Sequence, residues 1–386
     1  MKETVYCGKG THVPHADFMD FIDMVFGFTT DEQKFIGLLP KLYREYRRPQ
    51  DSNYVVTEDG VIKAAIGAYD HEITVCGVKL PCRGIGNVAV HPDTRGKGYM
   101  KATMNAALED MIRDGIALST LGGRRQRYQY FSYDKAGPCY TYSVARDNIR
   151  HTYGTLDAPF TVKVIEDAND PLIEDIMAIA AKAPYVPTRA REDFLDIAHT
   201  WKCRLLAFLD GDRLAGYCIM DQGTGIHEIR AACDDDFMGL IRSASAFVEK
   251  GISVALPAFD AAYIQAIDPM AEHVSLSASM SYTVLNYRLV LEAFLKLKLT
   301  FANLTDGTVT LLIHGYAGDE RVRLTVKDSV PVVTEVSDEV PVDHEFTHME
   351  ALNVLFSPIS PRRNGMNALM REWFPLPIWM YRADEV

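Results

Sequence analysis

The chain has 386 residues, 48% of them hydrophobic and 24% charged, and a formal net charge of −12. That length exceeds one ordinary core and asks for two or three domains, while the composition excludes a largely disordered chain. No apolar run approaches the roughly 20 residues that span a bilayer, and the short basic clusters KLYREYRR and RRQR are too isolated for nucleic-acid binding.

In chain order, the span Ala16 to Tyr46 carries apolar residues at helical spacing (Phe18, Phe21, Ile22, Val25, Phe26) and is interrupted at Gly27. YVVTEDGVIKAAIGAY follows, two apolar runs around Asp59-Gly60, which predicts a hairpin because Gly accepts the positive φ of a tight turn. A second hairpin is expected about Gly77, with Ile73 and Val75 before it and Val78 and Leu80 after. The next predicted strand is GIGNVAV. From about 155 to 283 the grammar repeats: a strand at Phe160 to Val164, a helix from Leu172 to Ala180, and RLLAFLDGDRLAGYCIMD as strand, Asp-Gly turn and strand. HEIRAAC then stands where IGNVAVH stood, and DDDFMGLIRSASAFV where HPDTRGKGYMKAT stood. The second copy is expected to keep the fold and lose the loop. From about 284 come an amphipathic helix, LNYRLVLEAFLKLKL, strands VTLLIHGY, RVRLTV and VPVVTEV, and helices at Met349 to Phe356 and Met366 to Trp373. The ending WFPLPIWMYRADEV, with Trp373, Phe374, Leu376, Ile378 and Trp379, reads as a packed tail.

Seven scattered cysteines without a CxxC pair argue against a zinc site or a disulfide framework. The opening residues lack the apolar stretch of a signal peptide. The expectation is a cytoplasmic protein with no metal, no nucleic-acid partner and no membrane partner.

The chemistry concentrates between Val88 and Leu108. Met100, Met104, Ala107 or Leu108, and Met111 mark one face of a helix beginning near Gly98, so Arg95, Gly96, Lys97 and Gly98 lie at its N-terminus. Unpaired backbone N–H groups and the positive end of the macrodipole make such a place an anion site. Gly96 and Gly98 clear the approach, and Arg95, Lys97 and Lys101 add charge. The bland alternative is a Gly-rich connector with solvated cations. A Walker loop and the GxGxxG dinucleotide pattern are both missing.

The pattern VxVxPxxRGxG resembles the pyrophosphate-binding motif of the GNAT acetyltransferases, with Val88, Val90, Pro92, Arg95, Gly96 and Gly98 in place. Met100 departs from the usual Gly or Ala. The three-part layout is similar to the enhanced intracellular survival (Eis) family. That resemblance implies an α/β (α+β) fold. A catalytic GNAT domain (1–152) and a second GNAT-like mixed-sheet domain without the loop (153–284) would be followed by a sterol carrier protein-like domain (285–386), whose tail reaches the active site. It implies acetyl-CoA as donor, an amine acceptor that is aminoglycoside-like or polyamine-like, and a homo-oligomer such as a hexamer. A protein lysine as acceptor, or a lipid carrier with a vestigial enzyme, are the alternatives.

By that resemblance Val88, Ala89 and Val90 serve the pantetheine arm, and Gly96, Lys97, Gly98, Tyr99, Met100 and Lys101 the pyrophosphate. Gly123 and Arg124 match positions near the cofactor, where the family prefers a Ser-Glu pair. The acid is expected in RYQYFSYD. The residues alone leave Tyr128, Tyr130 and Tyr133 open, and the resemblance selects Tyr128. A phenol with a pKa near 10 holds its proton at neutral pH. The base implied is the C-terminal carboxylate at Val386, with Glu385, Asp384 or a water relay as alternatives. Phe26, Phe28, Asp31 and Glu32, with Glu385, are the expected aromatic and acidic wall for the acceptor. Their plainer reading is core aromatics beside a helix cap at Thr30.

Overall fold

The structure is a computed structural model that describes residues 4–386. Two sheets organise it, one of 13 strands and one of four. The first half supplies β1 (Val5–Lys9), β2 (Asn53–Glu58), β3 (Val61–Val75), β4 (Val78–Val90), β5 (Leu118–Leu121) and β6 (Asp134–Val144). The hairpin expected at Asp59-Gly60 joins β2 to β3, with φ of 46° and 83° at those residues. The second half supplies β7 (Thr161–Ile165), β8 (Tyr185–Pro187), β9 (Arg204–Asp210), β10 (Arg213–Met220), β11 (Gly225–Ala231), β12 (Ile252–Pro257) and β13 (His273–Val284).

The large sheet runs β1-β2-β3-β4-β5-β13-β6-β12-β11-β10-β9-β7, with β8 added against β3. Read inward from both ends, β1 matches β7, β2 matches β9, and so on to β5 and β12. The final strands, β6 and β13, then change places. β6 is clamped between β13 and β12, antiparallel to both. The repeat read from the sequence is therefore a pseudo-dyad, and the strand exchange fuses the halves into one sheet across position 152. Neither half closes its sheet with its own last strand.

Residues 285–386 begin with the helix Tyr287–Leu299, whose first turn is capped by the Asn286 side chain accepting from the Leu289 N–H at 2.8 Å. It packs on a second sheet of β14 (Gly307–Gly315), β15 (Gly318–Lys327), β16 (Val330–Glu335) and β17 (His344–Thr347), in the order β16-β15-β14-β17. The helix His348–Phe356 follows, opened by a capping box of Thr347 and Glu350. The tail is buried as expected: Trp373, Leu376 and Ile378 have no exposure, and the Tyr185 hydroxyl donates to the Trp379 carbonyl at 2.8 Å.

Two expectations change. The run from Ala16 to Tyr46 holds one long helix, His15–Phe26, which Gly27 ends in the left-handed region at φ 72°. Past it only single turns form, at Phe35–Leu38 and Pro40–Tyr43, because Pro40 breaks the helical ladder. The second hairpin strand and GIGNVAV are one strand, β4. Pro81 is tolerated within it because its carbonyl side, which accepts from the Ala117 N–H at 2.9 Å, lies just before pairing with β5 begins.

Trp373 is fully buried and its indole N–H donates to the Thr305 carbonyl at 3.1 Å. Trp373→Ala is expected to cost about 3–5 kcal/mol, read as a lower urea midpoint by circular dichroism.

Candidate active site

The site grows from a defect in β4. β3 and β4 pair Ala65 with Ala89 and then Gly67 with Gly86, so Asn87 and Val88 together oppose Ile66. Such a bulge bends its strand and ends regular pairing. Asn87 adopts φ 36°, which asparagine tolerates. Buried hydrogen bonds lock it there. Its amide donates to the Asn53 side chain at 2.7 Å, and its oxygen accepts from the Tyr43 hydroxyl at 2.8 Å. On the other edge, β4 pairs in parallel with β5 only from Cys82 to Ile85. Among the described residues, that edge of β4 has no strand partner from Gly86 to Val90.

A cleft of about 670 Å³ opens here, lined by Val88, Val90, Arg95, Gly96, Gly98, Tyr99, Met100 and Lys101. The helix is Tyr99–Arg113, and Gly96 and Gly98 before it take φ of 91° and 83°. A Cβ on either would meet nothing within 4 Å, so these bare positions face open space that a phosphate can enter. Not every cation of the loop faces it. Lys97 donates to Glu58 on β2 at 2.6 Å and the Tyr99 hydroxyl bonds the same carboxylate, which holds the loop to the sheet. Ala89 is fully buried on the opposite face, against the cluster of Val55, Ala65 and Tyr69. Sequence reasoning missed Arg127, which lines the cleft with Val25; RRQR had been weighed only as a basic cluster.

Tyr128 sits on the short helix Arg125–Gln129, 7% exposed, with its ring against the backbone of Gly123, which takes φ 109°. Burial raises its phenol pKa, opposed by the charge of Arg127. Of its two rivals, Tyr130 is 63% exposed and lies under the Lys101 ammonium. Tyr133 is buried, with its hydroxyl on Ser119 at 2.6 Å. The third part supports this turn. His348 accepts from the Tyr316 N–H at Nδ1 (3.3 Å), so its proton is on Nε2, where it donates to the Ser132 carbonyl at 3.0 Å. Burial pushes its pKa down to about 4.

The tail ends against the bulge. A Cβ built on Gly86 would stand 3.1 Å from the carboxyl carbon of Val386, and one on Gly84 would stand 2.5 Å from its Cγ2. Only bare backbone leaves room for Val386. Among the described residues no donor hydrogen-bonds its carboxylate and no cation pairs with it. Two residues earlier, Asp384 is gripped by Arg189 of the second half through Nε (2.9 Å) and Nη2 (2.8 Å), and the same guanidinium grips Glu228 at 2.9 and 2.7 Å. The Tyr217 hydroxyl donates to Glu228 at 2.6 Å. Arginine proximity holds the Asp384 carboxyl below its usual range despite burial. A parallel lock joins Arg230 to Asp260 at 2.6 Å and to the Tyr381 hydroxyl.

A second cavity of about 350 Å³ lies on the Val386 side, lined by Lys41, Tyr69, His71, Asp193, Asp384 and Val386 among others. The expected acceptor wall is not in it. Phe26 lines the cleft, where it stacks edge-on to Phe35. Phe28 is in the same aromatic cluster. Asp31 and Glu32 stand on the turn beyond Gly27, their side chains 95% and 88% exposed and facing Lys34 and Lys202. Arg124 is exposed. Burial raises the Glu385 carboxyl pKa. A separate cavity of about 260 Å³ in the second half carries Arg189, Glu228 and Arg230, all of them paired as described.

Residues 11–137 match the acetyltransferase (GNAT) domain family. Comparison with curated proteins finds no sequence match. Among solved structures, the chain is similar to a GCN5-related N-acetyltransferase from Anabaena variabilis, at 13% identity, TM-score 0.68 and 98% coverage of both chains. A GCN5-related N-acetyltransferase from Kribbella flavida aligns at 17% identity and TM-score 0.63, over 89% of this chain and 86% of that one. Eis1 from Mycobacterium abscessus aligns at 14% identity and TM-score 0.61, over the full length of both. The fold is thus the mixed α/β fold of these enzymes, and the chain carries an acetyltransferase domain and is an acyltransferase by class.

His71 and His348 are both held near pKa 4 by burial, against about 6.5 in an unfolded chain. The unfolded state therefore takes up these protons first, and stability falls as pH drops from about 6.5 to 4. The thermal unfolding midpoint is expected to fall across that window, and less steeply in His348→Gln.

Proposed function

We propose that the chain transfers the acetyl group of acetyl-CoA to a primary amine of a small molecule, by direct attack within a ternary complex. The observation that carries this reading is the unpaired stretch of β4, with a glycine-cleared anion cleft on one face and Val386 against the other. The donor would supply an activated acyl group. The N–H groups about Gly96 and Gly98 would hold its pyrophosphate, with Arg95, Lys101 and Arg127 adding charge. The free backbone of Val88 and Val90 would take the pantetheine arm.

Each proton then has a place. Tyr128, its pKa raised by burial, keeps its proton at neutral pH and can release it to a departing thiolate. The α-carboxylate of Val386, unpaired and half-buried, is the proposed acceptor of the ammonium proton. The Val386 side chain packs among the apolar residues that include Phe28 and Tyr69, which holds the terminus in place against Gly86. A carboxylate there must meet an ammonium, which supports a cationic acceptor, aminoglycoside-like or polyamine-like in the broad form of the proposal. Residues 285–386 are proposed to be sterol carrier protein-like in fold only. Leu291, Leu295, Leu311, Ile313, Leu324 and Leu352 fill the space between their helices and sheet with no exposure, which argues against a lipid tunnel. The same reading carries a cytoplasmic homo-oligomer.

Isothermal titration of acetyl-CoA tests the reading first. Wild type is expected to bind in the micromolar range, and Gly98→Glu, which sets a carboxylate in the cleft, to lose binding. Wild type that binds no acetyl-CoA overturns it. A Tyr128→Phe variant is expected to bind acetyl-CoA as wild type but to turn over about 10²-fold more slowly. One residue added after Val386 is expected to cut turnover sharply and spare acetyl-CoA affinity. Unchanged turnover would remove that carboxylate from the mechanism.

A further inference from the structure

The cavity on the Val386 side says more about the acceptor than its size. Three aspartates face it, and each is paired with an arginine, although Arg189 and Arg83 each serve a second carboxylate, Glu228 and Asp114. Asp384 is held by Arg189, as above. Asp193 accepts from Arg47 Nη1 at 2.9 Å, and Asp70 from Arg83 Nε at 2.5 Å. Once these pairs are set aside, two charged groups in the lining form no close ion pair among the described residues. One is the Val386 carboxylate. The other is the ammonium of Lys41, whose hydrogen-bond partner is a neutral group, the Ala383 carbonyl at 2.5 Å. Lys41 has two further N–H donors to offer.

Two further side chains of the wall have unpartnered polar atoms. Both ring nitrogens of His71 are buried without a partner, as is Arg47 Nε. A neutral His71 brings one donor and one acceptor, and Arg47 Nε–H is a donor only. A buried donor left unpaired costs free energy that a ligand recovers by supplying an acceptor. Burial lowers the Lys41 pKa to about 8, with the nearby Asp384 and Glu385 carboxylates opposing and Arg189 adding to the fall, so the group stays mainly cationic at neutral pH.

We infer that the acceptor is a zwitterion: a compact amine that also carries a carboxylate or comparable anion, its ammonium at Val386 and its anion at Lys41. This rests on the acetyltransferase reading and narrows it. A polycation would satisfy Val386 and leave Lys41 facing like charge. A cavity of about 350 Å³ suits a molecule of amino-acid to dipeptide size. The transfer itself is ordinary: the amine nitrogen bonds the acetyl carbon and the carbon–sulfur bond of the donor breaks. Of the two protons the ammonium loses, one passes through Val386 to solvent and the other restores Tyr128 after it protonates the leaving thiolate.

The test compares ω-amino acids from glycine to 6-aminohexanoate with n-alkylamines of matching length and with spermidine and kanamycin, reading CoA release with a thiol reagent. Wild type is expected to favour at least one ω-amino acid over its alkylamine by tenfold or more in kcat/KM. Lys41→Met is expected to raise KM for that substrate to the alkylamine value, with the acetyl-CoA Kd unchanged, and Lys41→Arg to keep part of the preference. Equal or faster turnover of alkylamines or polycations, a preference that survives Lys41→Met, or no transfer to any of these amines by protein that binds acetyl-CoA, each overturns the inference alone. Absence of acetyl-CoA binding would instead take down the underlying reading. Should Lys41→Met fail to fold, the wild-type and Lys41→Arg comparison still decides.

Discussion

The Arg189 guanidinium is the joint on which the site depends. It is 5% exposed and holds two carboxylates at once, Glu228 from its own half and Asp384 from the tail. Desolvating three charges is expensive, and only near-complete hydrogen bonding makes it tolerable. Here Arg189 spends three nitrogens on four bonds, and Tyr217 supplies a further donor to Glu228. A flexible terminus that would otherwise fray is thereby fixed two residues before its end. Apolar packing alone is non-directional and would not fix that register. The ion triad sets direction, and the buried run from Trp373 to Tyr381 supplies the bulk of the attraction.

Geometry then couples all three parts of the chain. The first contributes the bulged strand and the cleared loop. The second contributes Arg189 and Arg230. The third contributes the tail, and through His348 it also holds the Ser132 carbonyl in the turn that carries Tyr128. Both proposed proton-handling groups thus depend on residues from the last hundred positions. Strand exchange at the centre of the sheet makes the halves inseparable, so rigid alignment across their boundary comes from backbone pairing as well as from side chains.

Much of this was legible in the sequence because it rests on local rules. Asp59-Gly60 and Asp210-Gly211 marked hairpins, and the spacing from Met100 to Met111 marked a helix whose N-terminus faces the cleft. The apolar tail announced its own burial. What was hidden depends on long-range pairing. Nothing in GPCYTYSV or HVSLSASMSYTV says that two strands of like character will trade places. Nor does the local pattern about Val88 disclose that Asn87 bulges, since the stabilising partners Asn53 and Tyr43 lie more than thirty residues away. Asp31 and Glu32 were plausible as an acidic wall by composition, but Gly27 ends the helix and leaves them on a solvated turn. Lys41 and His71 gave no signal, because a lone lysine or histidine becomes informative only when its surroundings fail to satisfy it.

The second half shows why the loss of a loop is compatible with a retained fold. Where the first half has Arg95 to Gly98 before its helix, the second has Asp234–Asp236 before Phe237–Val248. Carboxylates at a helix N-terminus complement the macrodipole and favour the helix, and Asp236 is anchored further by Arg213 at 2.6 Å. The same position cannot also receive a phosphate, since like charges would repel at contact range. One half therefore leaves its helix N-terminus open to the cleft. The other places carboxylates there and ties Asp236 to Arg213. A half freed from binding an anion can hold charges where the first cannot, and it is from there that Arg189 and Arg230 reach the tail. Division of labour between the copies thus follows from the sign of the charge at a single turn.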